Sequence, residues 1–413
     1  MTSLPDNATA LGELCDVVAK QVDPAEASNA LYLGLEHVTP GRMRPSAGGR
    51  AADVQSSKFA FRAGDVLYGK LRPYLDKAVL ADTDGVCTTE LLVLRPKADV
   101  DPAFLACVVH SPAFVAHAMS GVTGAPHPRT SWPHLAQFTL PRFELEEQRA
   151  LAALLWRVHD LLLAIDSSVE VSQSLKRAAL RELFTRGLRG EPQKETEIGP
   201  VPESWQVIPL GSLGKIGNGS TPKKSVPAYW DGGAFPWLTS AKVYDRDIAA
   251  ADQFVTETAL KECHLPIVKP GAVLVAITGQ GKTLGHCAVL RTKATVSQHL
   301  AYLQTDTAKA DAGFVRGYLE TQYEYLRQVA SGGGSTKGAL TCAFLRTLPI
   351  PLAGMAEQRE IVAILDVLDR KIELYRKKRA VLEELFRALL HQLMTGEIRV
   401  DELDLSALEG AES

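Results

Sequence analysis

Two stretches of the chain place apolar residues at alternating spacings of four and three, the pattern that draws a continuous seam along one face of a helix. In the later stretch Ile361, Leu365, Leu368, Ile372, Tyr375, Leu382, Phe386, Leu389 and Leu393 follow it, and only Arg379 breaks it. In the earlier stretch the seam positions are Leu151, Leu155, Val158, Leu162, Ile165, Val169, Ala179 and Leu183, with Ser172 and Lys176 as breaks. No proline or glycine falls between Glu144 and Arg186, or between Ala356 and Thr395. The spacing predicts two helices of roughly 40 residues, each about 60 Å long at 1.5 Å per residue. An apolar seam of that length does not stay in water, so each helix is expected to partner the other as an antiparallel coiled coil.

The two stretches are copies of one another. Glu147-Gln148-Arg149 recurs as Glu357-Gln358-Arg359, an offset of 210 residues. The same offset relates Leu183-Phe184-Thr185 to Leu393-Met394-Thr395, and Thr139-Leu140-Pro141 to Pro349-Ile350-Pro351. Ahead of each helix the pattern changes to short strands and turns, and the repeat weakens. Leu11-Gly12-Glu13-Leu14 parallels Leu210-Gly211-Ser212-Leu213, and Cys87-Thr88-Thr89-Glu90-Leu91 parallels Val296-Ser297-Gln298-His299-Leu300, at drifting offsets. Framework positions match while loop contents differ, as when one scaffold carries two sites of different specificity. The glycine- and proline-rich stretch from Gly187 to Pro202 reads as a linker between the halves. The fold class expected is α+β with an internal pseudo-two-fold repeat. Its parts are α/β domains at 1–142 and 205–351, long helices at 143–188 and 352–396, a linker at 189–204 and an acidic tail at 397–413.

Composition narrows the class without naming it. The 413 residues are 46% hydrophobic and 23% charged, ordinary for a soluble chain of two or three domains. No run approaches the roughly 18 uninterrupted apolar residues that would span a bilayer. The start of the chain has no basic segment followed by an apolar one, so no signal peptide is expected and the protein is placed in the cytoplasm, away from membranes. The six cysteines form no C-x-x-C pair, which favours reduced thiols over a disulfide scaffold or zinc ribbon. The net charge of −3 hides an uneven distribution. Residues 397–413 hold one base against six acids, whereas residues 200–351 hold 15 Lys and Arg against 11 Asp and Glu.

The order of these features resembles the specificity subunit of a type I restriction-modification system. It runs from a variable domain to Glu-Gln-Arg opening a long helix, then a linker, Val201-Pro202-Glu203-Ser204-Trp205, a second variable domain and Glu-Gln-Arg again. Gly219-Ser220-Thr221-Pro222, Pro236-Trp237-Leu238-Thr239-Ser240, Ser297-Gln298-His299 and the glycine-rich Ser331–Gly338 stretch are also typical of that family's target-recognition domains. The first half departs by lacking a Trp205-type opening. The resemblance implies two target-recognition domains, each reading one half of a split sequence in double-stranded DNA, with the helix pair between them setting the unspecified spacer. It implies recruitment of two methyltransferase subunits and of motor-nuclease restriction subunits, and no catalysis by the subunit itself. A targeting subunit of another methylation-based defence complex, or a coiled-coil interaction scaffold, is the alternative.

The motifs of catalysis are missing. Ala276–Thr283 imitates a phosphate-binding loop, but its first glycine is Ala276, and a strand-like run, Leu284–Leu290, follows where a helix N-terminus must meet phosphate. There is no Pro-Pro dipeptide for an adenine-methylating loop, no H-E-x-x-H, no G-x-S-x-G, and no G-x-G-x-x-G opening a helix. No enzyme activity, metal or cofactor is therefore expected.

Reading bases calls for Arg, Lys, Asn, Gln, Ser and Thr, and contacting phosphates calls for cations and backbone N–H groups. In the first domain the DNA-binding candidates are Arg42, Arg44, Lys58, Lys70, Arg72, His127 and Arg129. In the second they are Ser220, Thr221, Lys223, Lys224, Thr239, Ser240 and Lys242, followed by Gln280, Lys282, Gln298, Ser335, Thr336 and Lys337. Trp132 and Trp237 read as loop anchors rather than base-stacking rings.

Overall fold

The structure, a computed structural model, describes residues 8–124, 126–279, 282–332 and 339–402. These form two compact units. The first takes in the described residues up to Ser168 and those from Tyr375 on, and the second is Val169–Leu374. The two long helices run Leu145–Arg186 and Met355–Thr395, so each begins in one unit and ends in the other.

In the first unit the four-stranded sheet has the order Cys15–Val18, Leu91–Pro96, Val66–Gly69, Ala78–Leu80. A five-stranded sheet lies beside it, with Gly85–Cys87 at its centre, parallel to Leu31–Leu33 and antiparallel to Lys58–Phe61. The first sheet carries two helices, Pro102–His110 and Pro112–Ser120, each started the same way. Asp101 accepts from the Phe104 N–H at 2.9 Å and Ser111 from the Phe114 N–H at 3.2 Å, with proline at the first helical position of each. Phe104, Leu105, Val108 and Phe114 are buried there against Leu151, Leu155, Val158 and Leu162 of the first long helix and Phe386, Leu389, Leu390 and Leu393 of the second. Side chains of that size contribute about 1.5–3 kcal/mol each on full burial.

The second unit repeats this plan. Its five-stranded sheet has the order Gly214–Asn218, Leu300–Thr305, Ala272–Ala276, Cys287–Leu290, Asp247–Ile248, and its second sheet pairs Phe235–Leu238 with Gln253–Val255 and Thr295–Val296. Helices Ala312–Thr321 and Tyr323–Ser331 cover the first sheet, and Asp311 caps the former by accepting from the Gly313 N–H at 2.7 Å. Phe314, Tyr318 and Leu319 pack with Leu180, Leu183, Phe184, Ile361 and Leu365 of the long helices. Among the described residues no single helix is long and apolar enough to cross a membrane.

The expected seam is the buried face. Leu151, Leu155, Val158, Leu162, Ile165, Leu183, Ile361, Leu365, Ile372, Phe386 and Leu393 are all buried. The pairing is antiparallel within each unit. In the first, Arg379 Nε donates to Asp166 at 2.6 Å while His159 meets Phe386, a ring on the later helix, so one helix runs back as the other runs forward. In the second, Lys176 pairs with Asp369 at 2.7 Å while Phe184 shares a core with Ile361. The polar breaks thus have partners. Arg379 also bonds Glu383 at 2.7 Å, and Asp166 also accepts from Arg42. Lys176 is enclosed by Asp369 and by Glu320 at 2.5 Å, with Arg246 and Arg316 on the same carboxylates at 3.0 and 3.1 Å from Asp369. The Lys176, Arg246 and Arg316 charges hold the Asp369 carboxyl below its usual range, against the upward push of burial.

The repeated glutamines join long helix to domain. Gln148 accepts from the Asp101 N–H at 2.9 Å and donates to the carbonyls of Asp99 at 3.3 Å and Phe143 at 3.0 Å. Gln358 accepts from the Asp311 N–H at 2.9 Å and donates to the carbonyls of Lys309 at 3.3 Å and Ala353 at 2.8 Å. Both amides are buried, whereas Arg149 and Arg359 of the same motif are exposed.

The stretch read as a linker is ordered. Gln193–Thr196 and Gly199–Pro202 form an antiparallel hairpin, and Trp205 after it is fully buried, its indole N–H donating to Glu357 at 3.1 Å. The same carboxylate accepts from the Leu188 N–H at 2.7 Å. Glycine and proline here build turns and a docked strand pair instead of a free tether, because Trp205 and Glu357 give them something to dock on.

Replacing Gln358 by Leu leaves a buried N–H and two carbonyls without partners, and is expected to cost about 2–4 kcal/mol in denaturant unfolding. Gln148→Leu should behave alike, while Arg359→Ala stays within about 0.5 kcal/mol. Equal effects of Q358L and R359A would remove the clamp from this account.

His159 supplies a second test. Its Nε2 accepts from the Met43 N–H at 3.2 Å, the ring is 1% exposed, and its Nδ1 makes no hydrogen bond among the described residues, lying 3.8 Å from Asp160. Burial first, then the nearby Arg42 charge, pushes its pKa down to about 4 from 6.5. Between those values the unfolded chain binds the proton and the folded one does not, so stability falls as pH drops from 6.5 towards 4, by about 3 kcal/mol at full effect. His159→Gln keeps an acceptor for Met43 without a titrating ring. The difference between wild type and variant should shrink with acidification over that window, and a constant difference would rule this titration out.

Candidate nucleic-acid interface

In each unit polar side chains collect where the second sheet passes into the first. In the second unit the strand Thr295–Val296 turns through Ser297, Gln298 and His299 into Leu300–Thr305. Around this turn stand the ends of Gly214–Asn218, Phe235–Leu238 and Ala272–Ala276, brought there by the register Asn218↔Ala301, Leu238↔Val296 and Ala276↔Leu300. Backbone bonds fix the frame. The Ser297 N–H donates to the Leu238 carbonyl at 2.9 Å, Ile277 to His299 at 3.0 Å, and Leu340 to Ile277 at 2.7 Å. Gly219 is obligatory in this frame, since a Cβ there would lie 1.6 Å from the Val296 carbonyl oxygen.

The first unit builds the same frame. Gly85–Cys87 turns through Thr88, Thr89 and Glu90 into Leu91–Pro96. The Thr88 N–H donates to the Leu33 carbonyl at 3.0 Å, Lys70 to Glu90 at 3.1 Å, and Thr130 to Lys70 at 3.0 Å. These are the counterparts, bond for bond, of those in the second unit.

The side chains on the two frames differ. In the second unit Thr221 donates to Gln298, Gln298 donates to His299 Nε2 at 3.4 Å, and the His299 ring bonds Thr278 through Nδ1. Beside them Lys224 lies over the Trp230 ring at 4.3 Å and the Trp237 ring at 5.6 Å, its ammonium bonded to Gln253 at 2.9 Å. Trp237 is an anchor as expected, buried with its indole N–H on the Ser220 carbonyl at 3.2 Å. In the first unit Arg129 Nε donates to Glu90 at 3.2 Å and an Arg72 terminal nitrogen meets His127 at 3.3 Å. Arg72 and Asp76 both adopt positive φ, 53° and 48°, on either side of the Pro73–Leu75 turn. Buried His110 holds that turn, with Nδ1 at 2.8 Å from Asp76 and Nε2 at 3.0 Å from the Ala78 carbonyl. Burial would lower the His110 pKa, but the Asp76 charge and these two bonds outweigh it and leave it raised.

The structure brings Lys70, Arg72, His127 and Arg129 together in the first unit, and Ser220, Thr221, Gln298 and Thr239 in the second. Lys223 is exposed beside Lys224, its carbonyl accepting from Trp230, and Ser240 opens the short turn Ser240–Tyr244 just after Thr239. Lys282 is exposed, its carbonyl accepting from Tyr323 at 2.7 Å. Four candidates are committed elsewhere. Arg42 is bound to Asp166 of the long helix, and Arg44 lies over Trp156 at 4.8 Å and near Asp160 at 3.4 Å. Lys58 is buried with its ammonium on Ser56, and Lys242 pairs with Asp252 at 2.9 Å and Asp245 at 3.2 Å. Carboxylates pair with Arg42, Arg44 and Lys242, and Lys58 is held on uncharged Ser56 oxygens inside the fold. Gln280, Ser335, Thr336 and Lys337 lie outside the described residues. The sequence-derived candidates do not include Glu90, His299 and Thr278. Yet the first two stand at matched positions of the repeated Thr-Thr-Glu and Ser-Gln-His turns, which was signal enough.

The Lys282–Thr283 segment passes through a turn into the strand Cys287–Leu290, so no helix follows to receive a nucleotide phosphate. Among the described residues no group of three or more His, Cys, Asp or Glu could hold a metal ion.

Comparison with known proteins places this architecture. The family described as Type I restriction modification DNA specificity domain matches residues 202–384. A Methanocaldococcus jannaschii chain named for the specificity subunit of the type I restriction enzyme MjaX is 27% identical over 361 residues, covering 83% of this chain and 80% of that one. The MjaIX specificity subunit of the same organism is 30% identical over 208 residues, 49% of this chain and 47% of its own length. The solved type I restriction-modification S subunit from M. genitalium has the same fold, with a TM-score of 0.61 and 16% identity over 95% of this chain and 97% of that one. So does a chain from a structural study of type I R-M complex assembly and conformational transition, with a TM-score of 0.59 and 22% identity over 96% of this chain and all of that one. Duplicated domain frame, paired long helices and sequence relatives agree: the chain has the fold of type I restriction-modification specificity subunits and is similar to them in sequence along most of its length.

Proposed function

We propose that this chain is the specificity subunit of a type I restriction-modification system and reads a two-part sequence in double-stranded DNA, one half-site through residues 1–142 and the other through residues 205–351. The observation that carries this reading is the matched pair of strand-end frames bearing different polar side chains. One scaffold used twice with unlike donors and acceptors fits two independent readers. Lys70, Arg72, His127 and Arg129 serve the first half-site. Ser220, Thr221, Lys223, Lys224, Thr239, Lys282 and Gln298 serve the second, joined by Gln280, Ser335, Thr336 and Lys337.

The chain itself neither methylates nor cleaves DNA. It works in the cytoplasm as the adaptor that brings two methyltransferase subunits, and with them motor-nuclease restriction subunits, to the target. Apolar residues left exposed along the long helices support a protein-docking role: Val171 at 64%, Val367 at 64%, Leu374 at 66% and Val381 at 66%.

The test is a domain exchange. Residues 205–349 are replaced by the equivalent segment of a relative, and methylated sites are sequenced in cells that also carry the modification subunit. One half of the recognised sequence should change and the other persist, and a change in both halves would contradict independent readers. Purified chain incubated with duplex DNA, S-adenosylmethionine, ATP and magnesium should incorporate no methyl group and cut nothing. Gly219→Ala, which forces two strands apart, should abolish reading of the second half-site, while Gly354→Ala, at a glycine with nothing within 4 Å of its Cβ position and no positive φ, should leave the recognised sequence unchanged. Normal recognition by G219A would detach this frame from DNA reading.

A further inference from the structure

The two frames can be compared position by position. Glu90 stands where the second unit has His299, Leu71 where it has Thr278, and Arg129 where it has Ala339. Equivalent backbone bonds define the first match, Lys70 to Glu90 and Ile277 to His299, and the bridges Leu71↔Arg129 and Thr278↔Ala339 define the other two.

Arg129 is held unusually well for an exposed arginine. Its N–H and carbonyl exchange two bonds with Thr123, both at 3.0 Å, and its other side bridges Leu71. Its Nε is taken by Glu90 at 3.2 Å, while the side chain remains 48% exposed. Holding a guanidinium through Nε leaves its two terminal nitrogens side by side, with no partner among the described residues. That is the donor pair that matches the O6 and N7 acceptors of guanine in the major groove. Glu90 argues against a phosphate contact, because a carboxylate at that place repels the DNA backbone. It suits a base reader, where it orients the arginine and accepts from the amino group of a cytosine. The second unit, with Ala339 and His299, has no such pair.

We propose that Arg129, oriented by Glu90, reads a guanine in the half-site of the first unit, and that the matched point of the second unit makes no such contact. This rests on the DNA-reading role proposed above.

The experiment sequences methylated positions genome-wide in cells expressing the full chain with its modification subunit. The wild-type half-site of the first unit should contain a fixed G·C pair. Arg129→Ala and Arg129→Lys should each reduce discrimination at that pair by roughly tenfold or more, leaving the other positions and the other half-site as they were. Glu90→Gln should loosen the same pair less. The lysine variant keeps the charge but loses the planar fork, so a motif read with unchanged stringency by R129K overturns the proposal. Relaxation at an A·T pair, or a uniform loss of methylation in R129A and R129K with the motif intact, also overturns it, the latter marking a phosphate contact. If R129A does not accumulate as folded protein, R129K and E90Q decide. Absence of any two-part motif in the wild type would instead sink the DNA-reading role itself.

Discussion

Everything in each unit hangs on one buried amide. Gln148 and Gln358 each sit at the start of a long helix, and each makes three hydrogen bonds to backbone groups. One is the N–H of the aspartate that caps the domain's first covering helix, another the carbonyl two residues before that aspartate. The third is the carbonyl of the segment leading into the long helix. A primary amide satisfied in this way inside a protein interior is costly to disturb, since each bond broken strands a desolvated partner. It also has direction. Cap, preceding loop and helix start are fixed to one planar group, so the domain cannot turn about the helix axis without breaking the two bonds to its cap and preceding loop. Further along, the charged contacts of Asp166 with Arg42 and of Asp369 with Arg246 pin each domain to the helices at a second point. Two separated attachments set an orientation where one would leave a hinge.

Much of this was legible in the sequence, and the limits are physical. The seam was readable because burial imposes its own period on apolar residues, and its interruptions were visible as Lys176 and Arg379. What the interruptions do was not readable, because their partners are carboxylates such as Glu320 and Asp166, far away in the chain. The Glu-Gln-Arg repeat was plain, but the meaning of its glutamine was hidden. Its partners are backbone groups, and backbone groups leave no signature in a sequence. The same blindness hid the internal partners of four candidates. Arg42, Arg44, Lys58 and Lys242 look like DNA-facing cations until folding brings an aspartate, a serine or a tryptophan against them. Glu90 was not among the candidates because a carboxylate repels the DNA backbone, and its use here comes from the arginine that folding sets beside it. The hairpin after Gly187 read only as a linker because glycine and proline mark turns whether or not the turn has something to dock on.

The two units also show how far a duplicated scaffold keeps its geometry. Strand-end bonds recur with nearly the same lengths, and the capping aspartates and glutamine amides recur at the same separation. Around Trp205 the copies diverge. The second unit seats a buried indole edge-on to Phe314, while the first sets Phe143 edge-on to Phe104. Packing next to the clamp has therefore drifted by exchanging one aromatic source for another, while the clamp itself has not.

The strand-end frame has a consequence for how such a chain can change over generations. Its shape is written in main-chain bonds, such as Thr88 to Leu33 and Ser297 to Leu238, and in one close approach at Gly219. None of these depends on the side chains at Thr89, Glu90, Gln298 or His299, which point away from the cores. Substitutions there carry little folding penalty, so a lineage can alter what it selects without first acquiring spare stability. Innovation and integrity are encoded in different atoms, and selection can act on the first while leaving the second untouched.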